Sequence, residues 1–136
     1  MSVFGKKQKR LVAYYWLWVI VWCAGIYCLS DIPSLRSDLP GGWDFFLRKL
    51  AHITEYAVLV SLFYRAASQS MGRRRATAYA ALFAFTFALS DEYHQTFIAG
   101  RSGNAADVTI DSLGIFLSVL LIDKRSLDAS IKKINN

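Results

Sequence analysis

An all-α fold, an integral membrane four-helix bundle with both termini cytoplasmic, is predicted by three features of this 136-residue chain. Hydrophobic residues make up 54% of it and gather into four blocks. Lys and Arg concentrate in the segments that four spans would place on one side. No stretch alternates apolar and polar residues with the period of two that a half-buried strand needs. The length accommodates one small domain. It divides into a basic cytoplasmic tail (1–10), a membrane domain (11–123) and a polar cytoplasmic tail (124–136).

The first block, Leu11 to Leu29, holds no charged residue. At about 1.5 Å per residue it nearly crosses a hydrocarbon core of about 30 Å. Lys6, Lys7, Lys9 and Arg10 precede it, as in a signal peptide, but its apolar run is too long and no small-x-small cleavage site follows. We read it as an uncleaved span, with its end-most aromatic residues as interfacial anchors. Cys23 and Cys28 share no helix face, and both read as packed thiols. Ser30 to Gly42 is a loop broken by Pro33, Pro40 and Gly41-Gly42. Asp44 is a candidate N-cap for a second helix over Phe45 to Tyr64. Ser68 to Gly72 makes an inner turn. The third helix starts near Arg73–Thr77 and runs to about Gln95. Gly100 to Asn104 is an outer turn, and Asn104 caps a fourth helix that ends near Asp123, with a frayed tail beyond.

The net charge of +6 is compatible with nucleic acid, but its distribution argues against that partner. Lys6, Lys7, Lys9 and Arg10 precede the first span, Arg65 and Arg73 to Arg75 lie between the second and third, and Lys124, Arg125, Lys132 and Lys133 follow the fourth. Lys and Arg in short loops stay cytoplasmic, so the 1–2 and 3–4 connections face outward. Asp31, Asp38, Asp44, Glu55, Asp91, Glu92, Asp107 and Asp111 all then belong to the outer half. Ionisable groups in or beside a span are costly to bury and commonly mark function.

Three constellations follow. On the second helix His52 stands three residues from Lys49 and Glu55, and four from Arg48 and Tyr56, spacings that share a face. An imidazole near a carboxylate could be a general base, a proton relay or a metal ligand. The plainer alternative is that Arg48 and Lys49 anchor at the interface, Glu55 pairs with one of them, and His52 is a packed hydrogen-bonder. On the third helix Asp91 shares a face with His94 and Gln95, while Glu92 points about 100° away. Here the alternative is a solvated helix end, although two acids there oppose the helix dipole. On the fourth, Asn104-x2-Asp107 mimics a capping box. Asp111 lies one turn deeper on the same face, and Gly114 permits close helix approach. Arg101 could bind an anionic headgroup or pair with Asp91 or Asp107. No spacing is a metal signature, so cofactor content is left open, a divalent metal included.

Lys49-x2-His52-x2-Glu55-Tyr56-x2-Leu59 and, more specifically, Leu89-Ser90-Asp91-Glu92-x2-Gln95-x-Phe97-x2-Gly100-Arg101-x5-Asp107-Val108-x2-Asp111-x2-Gly114 resemble the VanZ-like family of small bacterial membrane proteins. The resemblance spans about Trp16 to Leu121. It implies a multi-pass envelope protein of a family linked to low-level resistance to the glycopeptide teicoplanin. Asp111 stands where many members carry Asn, and Ala99 where a Pro is frequent before Gly100.

The expected function is action on an outer-leaflet lipid or lipid-linked cell-envelope precursor in an outward-facing polar pocket. His52, Glu55, Asp91, His94, Asp107 and Asp111 would be its catalytic groups, and Lys49, Tyr56, Glu92, Gln95 and Arg101 its substrate-binding ones. The alternatives are a non-catalytic protein that shields a headgroup and, less well supported by four helices without a repeat, a proton-coupled carrier. Expected partners are membrane lipid or its precursor and a second copy of the chain, not nucleic acid. The location is the bacterial cytoplasmic membrane.

Overall fold

The computed structural model describes residues 3–33, 42–101 and 103–134. Arg36, Asp38, Pro40 and Gly41 of the expected outer loop lie outside the described residues, as does Ser102 of the second outer turn. Four helices follow one another: α1 (Val3–Ser30), α2 (Trp43–Ala67), α3 (Arg73–Gln95) and α4 (Ala105–Ile134). They form an all-helical array in which α2 and α4 share the most extensive contact, α1 rests mainly on α2, and α1 barely touches α3.

Three boundaries differ from the sequence expectation. α1 continues back through the basic tail to Val3, because Lys, Arg and Gln are good helix formers and the segment holds no Pro, Gly5 near its start being tolerated. α4 runs through Asp123 to Ile134, because a charged residue marks where an apolar segment ends and not where a helix must. Asp44 is not the N-cap of α2. That position is Gly42, with φ 80° and no side-chain cap, and Asp44 lies in the first turn, where its carboxylate pairs with Arg48 at 3.0 Å. Asn104 does cap α4: its Oδ1 accepts the Ala106 N–H at 3.0 Å.

Small residues set how closely the helices approach. Ala76, Ala80, Ala84 and Ala88 form a fully buried stripe on α3. Gly114 of α4 faces the α2 backbone so closely that a β-carbon there would lie 2.1 Å from the Ile53 carbonyl oxygen. Gly103 is similarly confined, 2.0 Å from the Glu92 carbonyl oxygen, which presses the 3–4 connection onto the end of α3. Serines join the same helices deeper down, with Ser61 and Ser118 sharing a hydrogen bond of 3.0 Å. Backbone proximity and polar bonds of this kind hold helices together where apolar surroundings supply no hydrophobic drive.

The outward faces are strongly apolar, with Leu17, Ile20, Leu82, Phe116 and Leu121 among the exposed side chains. Gln8–Ser30 and Ala105–Asp128 are long and apolar enough to cross a membrane. α2 and α3 do not meet that test among the described residues: α2 carries Asp44, Arg48, Lys49, Glu55 and Arg65, and α3 has three arginines at one end and two acids near the other. The cysteines are both free, Cys23 half-buried and Cys28 exposed, so only the first is packed as expected.

Gly114→Ala and Gly103→Ala should each destabilise the detergent-solubilised protein by about 1–3 kcal/mol, the usual cost of overpacking. Gly25→Ala, with nothing within 4 Å of its added carbon, should be neutral or slightly stabilising. Thermal unfolding of the three variants checks the contrast, and equal melting temperatures would refute the close approach.

Candidate functional site

The start of α2, the end of α3 and the start of α4 meet at one end of the array, and their ionisable side chains are sorted there by helix face. His52 projects from α2 toward α4, and its Nδ1 donates to Oδ1 of Asp111 at 2.9 Å. Asp111 is completely buried, and its Oδ2 has no partner among the described residues. A carboxylate on one ring nitrogen fixes the tautomer and leaves Nε2 to act as base or ligand. Both residues sit where the Gly114–Ile53 approach draws α2 and α4 together.

α3 distributes its terminal residues among three neighbours. Glu92 turns toward α4, where its Oε2 accepts the Asn104 N–H at 2.8 Å and its buried Oε1 has no partner. Asp91 and Gln95 turn toward α1: the Gln95 amide donates to Asp91 Oδ2 at 3.0 Å and to Ser30 Oγ at 3.3 Å. His94 stacks on Tyr27 with ring centroids 4.5 Å apart, and its Nε2 lies 3.4 Å from the Asp31 carboxylate. Sharing a helix face with Asp91 therefore does not bring His94 to His52. The residue that joins His52 and Asp111 is Glu92, about 100° round α3.

Tyr56, one helical turn below His52, is fully buried with its hydroxyl unpartnered. The carboxylates of Asp91, Asp111, Glu55 and Glu92 all lie close enough to act on that hydroxyl electrostatically. The described buried side-chain polar atoms without a hydrogen-bond partner are Tyr56 Oη, Asp91 Oδ1, Glu92 Oε1, His94 Nε2 and Asp111 Oδ2. All five belong to this end of the protein. Orphaned polar atoms are rare in folded interiors, so five in one region mark a place where further partners are expected.

The remaining residues of the sequence reading have local partners. Lys49 forms an ion pair with Asp107 across α2 and α4, so Asp107 does not close a capping box on Asn104. Arg48 is exposed and paired with Asp44, which leaves Glu55 without either basic neighbour of its own helix. Among the described residues Arg101 pairs with no carboxylate: Nη2 donates to the Leu29 carbonyl at 2.7 Å and Nε to the Ile32 carbonyl at 3.1 Å, fastening the 3–4 connection to the end of α1. Ser30 and Trp22 were not singled out in the sequence, although Ser30 receives the Gln95 amide and the Trp22 indole donates to the Glu55 carbonyl at 2.9 Å. Neither carries a charge or a motif that could have flagged it.

His52, Glu92 and Asp111 each bring one donor atom within 4.8 Å of the others, an arrangement that could hold a metal ion. A groove of about 570 Å³ lies elsewhere, between α2 and α4. Leu117, Leu121 and Val58 line it, and Arg65, Arg73 and Arg125 line it on the side away from the acids. It begins at Ile53 and Thr54, immediately after His52 in the chain, and is apolar where the expected pocket was polar.

Neither the curated proteins nor the solved structures yield a match to the chain. The family model described as VanZ/LLP1 matches residues 4–125, which takes in all four helices and every residue of the acid–imidazole cluster. The chain belongs to the VanZ/LLP1 family.

Proposed function

We propose that this is a multi-pass protein of the bacterial cytoplasmic membrane, both termini inside, that receives at its outer end the headgroup of a lipid or lipid-linked cell-envelope precursor and acts on it. The observation that carries this reading is the His52–Asp111 pair together with four buried polar atoms unpartnered among the described residues at the same end, Tyr56 Oη, Asp91 Oδ1, Glu92 Oε1 and Asp111 Oδ2. Family membership and the two membrane-length helices support the setting. The segregation of Lys and Arg supports the orientation. A link to glycopeptide (teicoplanin) resistance follows if the substrate belongs to the pathway of envelope assembly.

In this scheme Nε2 of His52 takes the proton of an attacking water or hydroxyl, and buried Asp111 holds the ring and stabilises the imidazolium that forms. Lys49, committed to Asp107, orients α2 against α4. Arg101 has a further N–H group to offer a phosphate or carboxylate at the outer surface, beyond the two that hold α1. The apolar groove beside Ile53 is suited to the hydrocarbon chain of the same molecule. A protein that only shields the headgroup would use the same surface but would not need the imidazole as a base.

His52→Ala and Asp111→Asn should therefore lower turnover, read as the teicoplanin susceptibility of a host expressing the chain, while vesicle binding and membrane abundance persist. Removing a general base costs about 100- to 10,000-fold in rate. His94→Ala, whose ring lies against Tyr27 and Asp31, should lose less than tenfold. Full activity in both His52→Ala and Asp111→Asn at normal abundance would refute catalysis and leave the shielding function.

Orientation has a separate check in a chain carrying Cys23→Ala and Cys28→Ala. Thr96→Cys should react with an impermeant thiol reagent in intact cells, and Ser68→Cys only after permeabilisation. The reverse pattern would overturn the topology.

A further inference from the structure

We propose that His52, Glu92 and Asp111 form a binding site for one divalent transition-metal ion, with a ligand set of one imidazole and two carboxylates. The three residues come from α2, α3 and α4, so no local spacing announces them, and their donor atoms converge to within 4.8 Å. Donors on a tetrahedral ion with bonds of about 2.0–2.1 Å stand roughly 3.4 Å apart. Small side-chain rotations would close the difference.

Two of the three present an unsatisfied oxygen. Asp111 is 0% exposed with Oδ2 unpartnered, and Glu92 is 5% exposed with Oε1 unpartnered. Each of these carboxylates is held in place through its other oxygen, Asp111 by His52 and Glu92 by the Asn104 N–H. Outer hydrogen bonds of this sort commonly orient the ligands of a metal and tune their basicity.

Charge points the same way. Glu55 stands near the pair of carboxylates, so three acids, Glu55, Glu92 and Asp111, act on one imidazole. The nearby cations are engaged elsewhere: Lys49 with Asp107, and Arg101 with the carbonyls of Leu29 and Ile32. Buried carboxylates need a compensating positive charge, and a divalent ion supplies two units at the point where three donors meet. The imidazole decides the class of ion. Mg²⁺ and Ca²⁺ prefer all-oxygen surroundings, whereas imidazole with carboxylate suits Zn²⁺ or Mn²⁺.

Because Nδ1 of His52 is committed to Asp111, an ion would take Nε2, so in the metal-bound protein the imidazole is a ligand and not the base of the headgroup scheme, and the ion would hold a phosphate oxygen against the acids that otherwise repel it. The test uses the full chain in detergent, treated with chelator and then dialysed against Mn²⁺ or Zn²⁺, with bound metal measured by elemental analysis. One ion per chain is expected. Glu92→Gln and Asp111→Asn should each weaken binding tenfold or more, while Asp128→Asn, on the exposed far end of α4, should leave it unchanged. The unsubstituted chain should also gain thermal stability with Mn²⁺ or Zn²⁺ and not with Mg²⁺, a readout that does not depend on whether the variants fold. Absence of binding, equal binding by the two site variants, loss in Asp128→Asn, or an equal response to Mg²⁺ would each overturn the proposal.

Discussion

His52 reaches Asp111 because the backbones of α2 and α4 are in contact one turn further along, where Gly114 faces the carbonyl of Ile53. Any side chain at position 114 would push the helices apart there. The 2.9 Å bond, the positions of Lys49 and Asp107, and the Ser61–Ser118 bond all span the same two helices. A rigid approach at one point therefore sets the register of every polar contact along the seam. Such contacts matter more between helices whose outer faces are apolar, because packing into apolar surroundings gains little from excluding water.

Pairing separates the charged residues into two groups. Asp44 with Arg48, Lys49 with Asp107, and Asp31 with His94 lie at or near the periphery, and each acid has a basic neighbour. Glu55, Asp91, Glu92 and Asp111 have no Lys or Arg at pairing distance among the described residues, and all four act electrostatically on the buried Tyr56 hydroxyl. Ion pairs at a margin are worth little and are easily explained as anchoring. Uncompensated acids in the interior are expensive and persist only where something repays the cost. Family membership alone would not have distinguished the two groups. The geometry does, and it sets His94 and Arg101 apart from His52, Glu92 and Asp111.

Much of this architecture was legible in the chain. Four apolar blocks became four helices and Asn104 became the cap of α4, because each depends on neighbours within a few residues, and Gly114 became the close approach because only a residue without a side chain permits one. What could not be read was the allocation of faces among partners. Spacings of three and four put Asp91, His94 and Gln95 on one side of α3, but the helix end meets α1 and α4 at once. Gln95 goes to Ser30 and to Asp91, His94 to Tyr27, and Glu92 to the cap of α4. The Asp44 cap failed for a different reason. Gly42 at positive φ ends the loop two residues earlier and leaves the carboxylate free to pair with Arg48. The carbonyl bonds of Arg101 were illegible in principle, since main-chain acceptors leave no trace in residue identity.

α1 shows how the polar site and the fold support one another. Apart from packing along α2, it is tied in by side-chain bonds near its C-terminal half: the Trp22 indole to the Glu55 carbonyl, the Gln95 amide to Ser30, and the Arg101 guanidinium to Leu29 and Ile32. One of these donors also reaches an orphaned carboxylate directly. It is Gln95, whose single amide group bridges Ser30 and Asp91. Holding α1 in place thus also holds Asp91 in place, with one oxygen satisfied and the other buried without a partner among the described residues. An arrangement built only for stability would satisfy both oxygens or replace the acid with an apolar residue. A carboxylate held through one oxygen at the junction of α1 and α3 keeps the other able to accept a water, a proton or a ligand without loosening either helix.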